Sequence, residues 1–172
     1  MHSIAWWPTF TVVAIATVTD IRSRRIPNWL VLPFLLAGLA GSAILGGWSG
    51  FGQSVLGFLL GMVCMGVLYC LGGLGMGDVK LCAAVGAWIG PRQLVTALVL
   101  TGIAGGVIAI FEAIRGGFLK QSLCGAGNLI QGFAKGGLRR DPRFVLSHPA
   151  AKRMPYAPAI AIGTIISFFA LP

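Results

Sequence analysis

Negative charge is what this sequence has least of. Its 172 residues include four acidic side chains, Asp20, Asp78, Glu112 and Asp141, against 13 lysines and arginines. Charged residues make up only 10% of the chain, where a water-soluble domain carries roughly a quarter. That scarcity argues against a soluble globular domain. The two histidines, His2 and His148, stand far apart and form no H-E-x-x-H. The four cysteines (Cys64, Cys70, Cys82 and Cys124) form no C-x-x-C. Zinc and thiol redox chemistry therefore have no support, no metal or cofactor is expected, and the cysteines read as small buried hydrophobes. An alternating strand pattern is also missing, which argues against a β-barrel. No Lys or Arg precedes the apolar run "IAWWPTFTVVAIATV" at 4–18, so it reads as a retained span rather than a cleaved signal.

What the chain has instead is hydrophobic residues, 56% of the total. Apolar segments at about 4–19, 28–45, 51–72, 79–90, 93–114 and 155–171 follow one another with hardly a charge inside them. A helix rises about 1.5 Å per residue and the hydrocarbon core is about 30 Å thick. The expectation is one all-α domain over residues 1–172: a polytopic helical bundle with about six membrane spans. The fourth segment, "VKLCAAVGAWIG", is short for a span and is expected to thin the bilayer or to line a water-accessible cavity.

The basic residues set the orientation. With six spans and an outer N-terminus, Arg22, Arg24, Arg25, Lys80, Arg115, Lys120, Lys135, Arg139, Arg140, Arg143, Lys152 and Arg153 fall on the inner side. Arg92 alone falls outside. The net charge of +9 is then a consequence of topology. It does not imply a nucleic-acid partner, because these charges adjoin spans and form no basic domain. The partners expected from composition are lipids. The inner loop 115–153 mixes glycines, lysines and large apolar residues, and reads either as an interfacial helix on the anionic leaflet or as a plain surface loop.

This topology returns Asp20, at the end of the first span, and Asp78, at the start of the fourth, to the same inner boundary. Carboxylates at such depth are costly and mark functional sites by default. Two brought together tend to share one proton, and such a pair can activate a water while protonating a leaving group. Gly75 and Gly77 would let the backbone turn sharply and a substrate strand approach. The plainer roles are an N-cap for Asp78 and an i,i+4 pair of Asp20 with Arg24. Lys80 and Arg22 read as snorkelling to headgroups, Glu112 as a boundary partner of Arg115, and Asp141 as a solvated loop charge.

Three stretches together resemble a known family. "DIRSRRIPN" (20–28), "GMGDVKL" (75–81) and "MPYAPAIAIG" (154–163) are similar to the signature segments of type IV prepilin peptidases, membrane aspartic proteases of the GxGD class. The resemblance implies that Asp20 and Asp78 are the catalytic pair and that the substrate is a prepilin. It implies cleavage of the leader on the cytoplasmic side of the bacterial inner membrane. Gly75, Gly77 and Lys80 match the second motif, Pro27 and Asn28 the turn of the first, and Pro155, Tyr156 and Pro158 the third, a rigid turn bordering the substrate cleft. Larger members carry an N-terminal insertion with paired cysteines and an N-methyltransferase activity. Only one span precedes Asp20 here, so the resemblance is to the short forms serving tight-adherence (Flp) pili, and methyl transfer is not expected. Two rival readings are a small transporter or channel component using the aspartates as proton or cation sites, and a non-catalytic assembly subunit.

Overall fold

The computed structural model describes residues 2–70, 74–115 and 156–170. Among these residues there is no strand, only four helices: α1 (His2–Ser23), α2 (Asn28–Cys70), α3 (Met76–Arg115) and α4 (Ala157–Ala170). The loop 116–153, Pro155, Cys124 and Asp141 lie outside the described residues.

Two of the four helices are each a hairpin of two. Gly47 (φ 57°, ψ −148°) interrupts α2 and Gly90 (φ 73°, ψ 172°) interrupts α3, at backbone angles that only glycine adopts freely. Proline at position 91 restarts the helix where its missing N–H costs nothing. Contacts show that each break reverses the chain. Asn28 lies by Lys80 and Phe34 by Trp88, so the first half of α2 runs parallel to the first half of α3. Ser54 meets Ala87 and Gly61 meets Ala83, so the second half of α2 runs antiparallel to it. The same reasoning holds around α4. Trp6 of α1 touches Phe168 and Phe169 while Asp20 meets Ala157, and Thr101 touches Gly163 while Gly105 touches Tyr156. The chain thus folds as six alternating helical stretches. Residues 20–28, 75–80 and 156–157 gather at one end, and the breaks at Gly47 and Gly90 lie at the other.

The short segment owes its length to its place at the centre. Residues 76–89 run about 21 Å at about 1.5 Å per residue, and Leu81 to Ala87 are all buried. From Leu81 to Ala87 no face is exposed, because the other helices surround that stretch. Its neighbours approach closely because the contacts are small. A Cβ on Gly57 would strike the Gly86 carbonyl, and one on Gly61 would sit 2.9 Å from the Ala83 Cα. This is a G-x-x-x-G packing face, which brings helix backbones together in apolar surroundings. Polar links fasten the same region. Ser54 Oγ donates to the Ala87 carbonyl (2.6 Å), and Trp88 Nε1 donates to the Phe34 carbonyl (2.7 Å) with its ring stacked on Phe34.

The outside of the bundle is apolar. Trp7, Ile44, Trp48, Val99, Val107 and Phe169 are all exposed, Trp48 by 88%. The 18-residue apolar windows of α2 and α3 meet the length and composition of membrane spans, as befits a membrane protein. Trp7, Trp48 and Phe169 mark one end and Trp29 the other, where amphipathic rings favour the interface. Cys82 is buried as expected, but Cys64 and Cys70 are exposed. In a bundle facing lipid, an apolar residue gains nothing by pointing inward.

Candidate active site

The end of the bundle where α1, α3 and α4 meet holds both buried carboxyl groups. Asp20 is 7% exposed and Asp78 8%. Asp20 finishes the single buried stripe of α1, which runs Thr9, Val13, Ala16, Asp20 at the three-to-four spacing of one helix face. Immediately beyond it α1 stops. Arg24 takes a left-handed conformation (φ 51°) and its N–H donates to the Asp20 carbonyl at 2.8 Å, the αL form of helix ending. Arg24 therefore binds the backbone of Asp20 by its own backbone, and the side-chain pair at i,i+4 is not formed.

The side chain of Asp20 turns inward to another helix. Its Oδ2 accepts the N–H of Ala157, the first residue of α4, at 3.1 Å, across 137 positions of sequence. Asp78 is anchored in a parallel manner from within its own helix. Oδ2 accepts the N–H of Gly75 at 3.2 Å, the reach of a third-position acid back to the residue before its helix. Asp78 does cap α3, therefore, but with one oxygen only. Among the described residues its Oδ1 has no hydrogen-bond partner, and it is buried. The two carboxyl groups lie near enough for the charge of one to act on the other.

The remaining motif residues fall around this pair. Gly75 precedes α3 and Gly77 lies in its first turn, neither with a positive φ. Neither glycine needs a left-handed backbone here. Gly77 serves a close approach instead: a Cβ there would lie 3.1 Å from the Cβ of Ile26, in the α1–α2 connection. Pro27 accepts the first N–H groups of α2, from Leu30 and Val31. Asn28, the next residue, accepts Lys80 Nζ on its Oδ1 at 3.3 Å. Lys80 thus links α3 to α2 rather than only reaching for headgroups. Tyr156 is half-buried against both hydrophobic clusters of the core. Its hydroxyl stands where a Cβ on Gly105 would be, 2.5 Å away. Pro158 is the second residue of α4. Glu112 is near the end of α3.

The fold and this site define a class: an α-helical membrane protein whose three separate sequence motifs assemble two buried carboxyl groups at one end. Residues 7–110 match the type IV leader peptidase family, and the chain belongs to that family. Among curated relatives, a prepilin leader peptidase/N-methyltransferase of Aeromonas salmonicida is 35% identical over 109 residues, covering 59% of this chain and 37% of that protein. The protein of the same name in Bacillus subtilis is 29% identical over 161 residues, covering 92% of this chain and 52% of its own. The one in Escherichia coli is 35% identical over 106 residues, covering 56% and 45%. The chain therefore spans about half, or less, of the length of the curated relatives it matches. No solved structure matches it.

Proposed function

We propose that this chain is a membrane-embedded aspartic endopeptidase that removes the leader from prepilin-like precursors, with Asp20 and Asp78 as the catalytic pair. The observation that carries the proposal is the unpartnered Oδ1 of Asp78, buried beside a second buried carboxyl group that arrives from 58 positions earlier in the sequence. Burying a polar atom without a partner is costly. A fold tolerates this where the vacant lone pair is needed for chemistry. In the mechanism we assign, one carboxylate takes a proton from water as its oxygen attacks the scissile carbonyl. The other, protonated, donates to that carbonyl and so stabilises the tetrahedral species. The proton taken from water then passes to the leaving amine.

The site opens to the cytoplasm and all six helical stretches cross the bacterial inner membrane. Support comes from the basic residues. Arg22, Arg24, Arg25, Lys80 and Arg115 cluster at the carboxyl end of the bundle, and Arg92 sits alone beside the break at Gly90. That asymmetry matches the cytoplasmic excess of Lys and Arg. The substrate enters this reading from the relatives' names, which specify a prepilin leader. Methyl transfer, also in those names, is not assigned to this chain.

The test is co-expression with a prepilin, scored by the mass shift of the processed pilin. Asp20→Asn and Asp78→Asn are each expected to abolish processing while the protein still inserts in the membrane, and Glu112→Gln to leave it intact. Normal processing by either aspartate variant removes that residue from the dyad. Ion uptake into proteoliposomes without any cleavage would transfer the site to a transporter.

A further inference from the structure

We infer that the start of α4 is an orienting device for Asp20, in which the main-chain N–H of Ala157 is the positioning group and Pro158 keeps it the one donor left over among the first residues of that helix. The inference rests on the assignment of Asp20 to the catalytic dyad.

The first residues of any helix present N–H groups without partners inside it. In α4 the donors of Ala159 and Ile160 turn back to the Tyr156 carbonyl, at 3.0 and 3.3 Å. Pro158 has no N–H at all. Among the first residues of α4 itself, Ala157 is the one whose donor is left over, and it points at Asp20 Oδ2. Ala157 is fully buried and Asp20 nearly so, so no bulk water competes for this bond. The bond does two things at once. It fixes one of the two oxygens of Asp20, and hence the plane of the carboxyl group, leaving Oδ1 for the reacting atoms. It also ties α1, from the first motif, to α4, from the third. The third motif then contributes to the reaction by holding Asp20, without its side chains touching the scissile bond. Asp78 is held in the same fashion by Gly75, so each acid has one oxygen fixed by a main-chain amide at a helix start.

The inference is tested by replacing the Ala157 peptide bond with an ester, through incorporation of the corresponding α-hydroxy acid. The substitution deletes the proton and adds no atoms. The full-length protein in detergent is assayed against a purified prepilin precursor. The expected result is a fall in kcat of about 10- to 100-fold, the size of a lost hydrogen bond to a charged group, with KM within about twofold. The same ester at Ala159 removes a donor that serves only the start of α4, and is expected to leave kcat within about threefold. Unchanged kcat in the Ala157 ester overturns the inference, as do equal losses from the two esters, which would mean that only the helix start matters. Asp20→Asn separates the two levels. If it processes prepilin normally, the dyad itself is wrong; if it is inactive while the Ala157 ester is fully active, only the positioning role falls.

Discussion

Replacing Asp78 by Asn should make the protein more stable as it makes it inactive. Asp78 is 8% exposed, with Oδ1 unpartnered and a second buried carboxyl group close by. Asparagine can still accept the Gly75 N–H through its own Oδ1, so the cap on α3 survives. Its Nδ2 brings two donors to the place of the unpartnered oxygen, in the neighbourhood of Asp20. One buried unsatisfied atom costs about 1–3 kcal/mol, and repulsion between the two acids adds to that cost when both are ionised. The substitution should therefore gain about 1–3 kcal/mol. For a chain of this length each kcal/mol moves the midpoint by about 2–4 °C, so a rise of several degrees is expected. The assay is thermal unfolding in detergent at neutral pH, followed by tryptophan fluorescence or by retention of monodisperse protein. Asp20→Asn and the double variant complete a cycle, and the gains should combine by less than their sum because the residues interact. A variant less stable than the parent, or strictly additive gains, would refute the apposition of the two acids whatever the activity measurements say.

Other substitutions probe the scaffold that sets up this geometry. Gly57→Val drives two side-chain methyls into the Gly86 carbonyl and should cost more than about 3 kcal/mol, read as loss of monodisperse protein. Gly47→Ala, at a backbone position nearly reserved for glycine, should cost about 1–3 kcal/mol and lower the melting midpoint. Arg24→Gly relieves a left-handed side-chain-bearing residue at an exposed helix end. It should stabilise by about 1 kcal/mol, with a midpoint unchanged or lowered counting against the αL ending of α1. Trp88→Phe keeps the ring on Phe34 but removes the bond to its carbonyl; a loss of about 1 kcal/mol is expected in the same melting assay.

How much of this could be read beforehand depended on what kind of signal each residue carries. The helix breaks were legible because Gly46–Gly47 and Gly90–Pro91 are turn chemistry in their own right, and the apolar segments on either side agree with the observed stretches. The all-α class followed from the same runs. Which face of a helix turns inward was not legible. Apolar residues face both the lipid and the interior, so hydrophobicity carries no inside-outside information. That is why Cys64 and Cys70 were assigned to the interior, and why the burial of residues 81–87 came unannounced. A better clue lay in small residues: Gly57, Gly61, Ala83 and Gly86 mark the closest helix contact. Asp78 was legible as an outlier, though its two plausible roles were weighed as alternatives. The structure assigns one oxygen to capping and leaves the other free. The bond from Ala157 to Asp20 had no local trace at all, since a main-chain N–H looks the same at every position.

That last point bears on how a site of this kind is built in a chain with so few polar groups. Four acids in 172 residues cannot supply a network of side chains around the proposed pair. The second layer of contacts is drawn instead from the backbone, at the only places in a helical bundle where amides are free, the helix starts. Asp20 uses the start of α4 and Asp78 the start of α3. This requires that the helices begin at the same end of the bundle as the acids, which alternating helical stretches ensure by returning to one end. It also explains why the motifs lie at helix ends and not in helix middles. In such a design a motif can be essential through the position of its peptide groups even where its side chains could be exchanged. Scanning by side-chain replacement would then underrate Ala157 and Gly75, and deletion of single main-chain donors is the measurement that weighs them correctly.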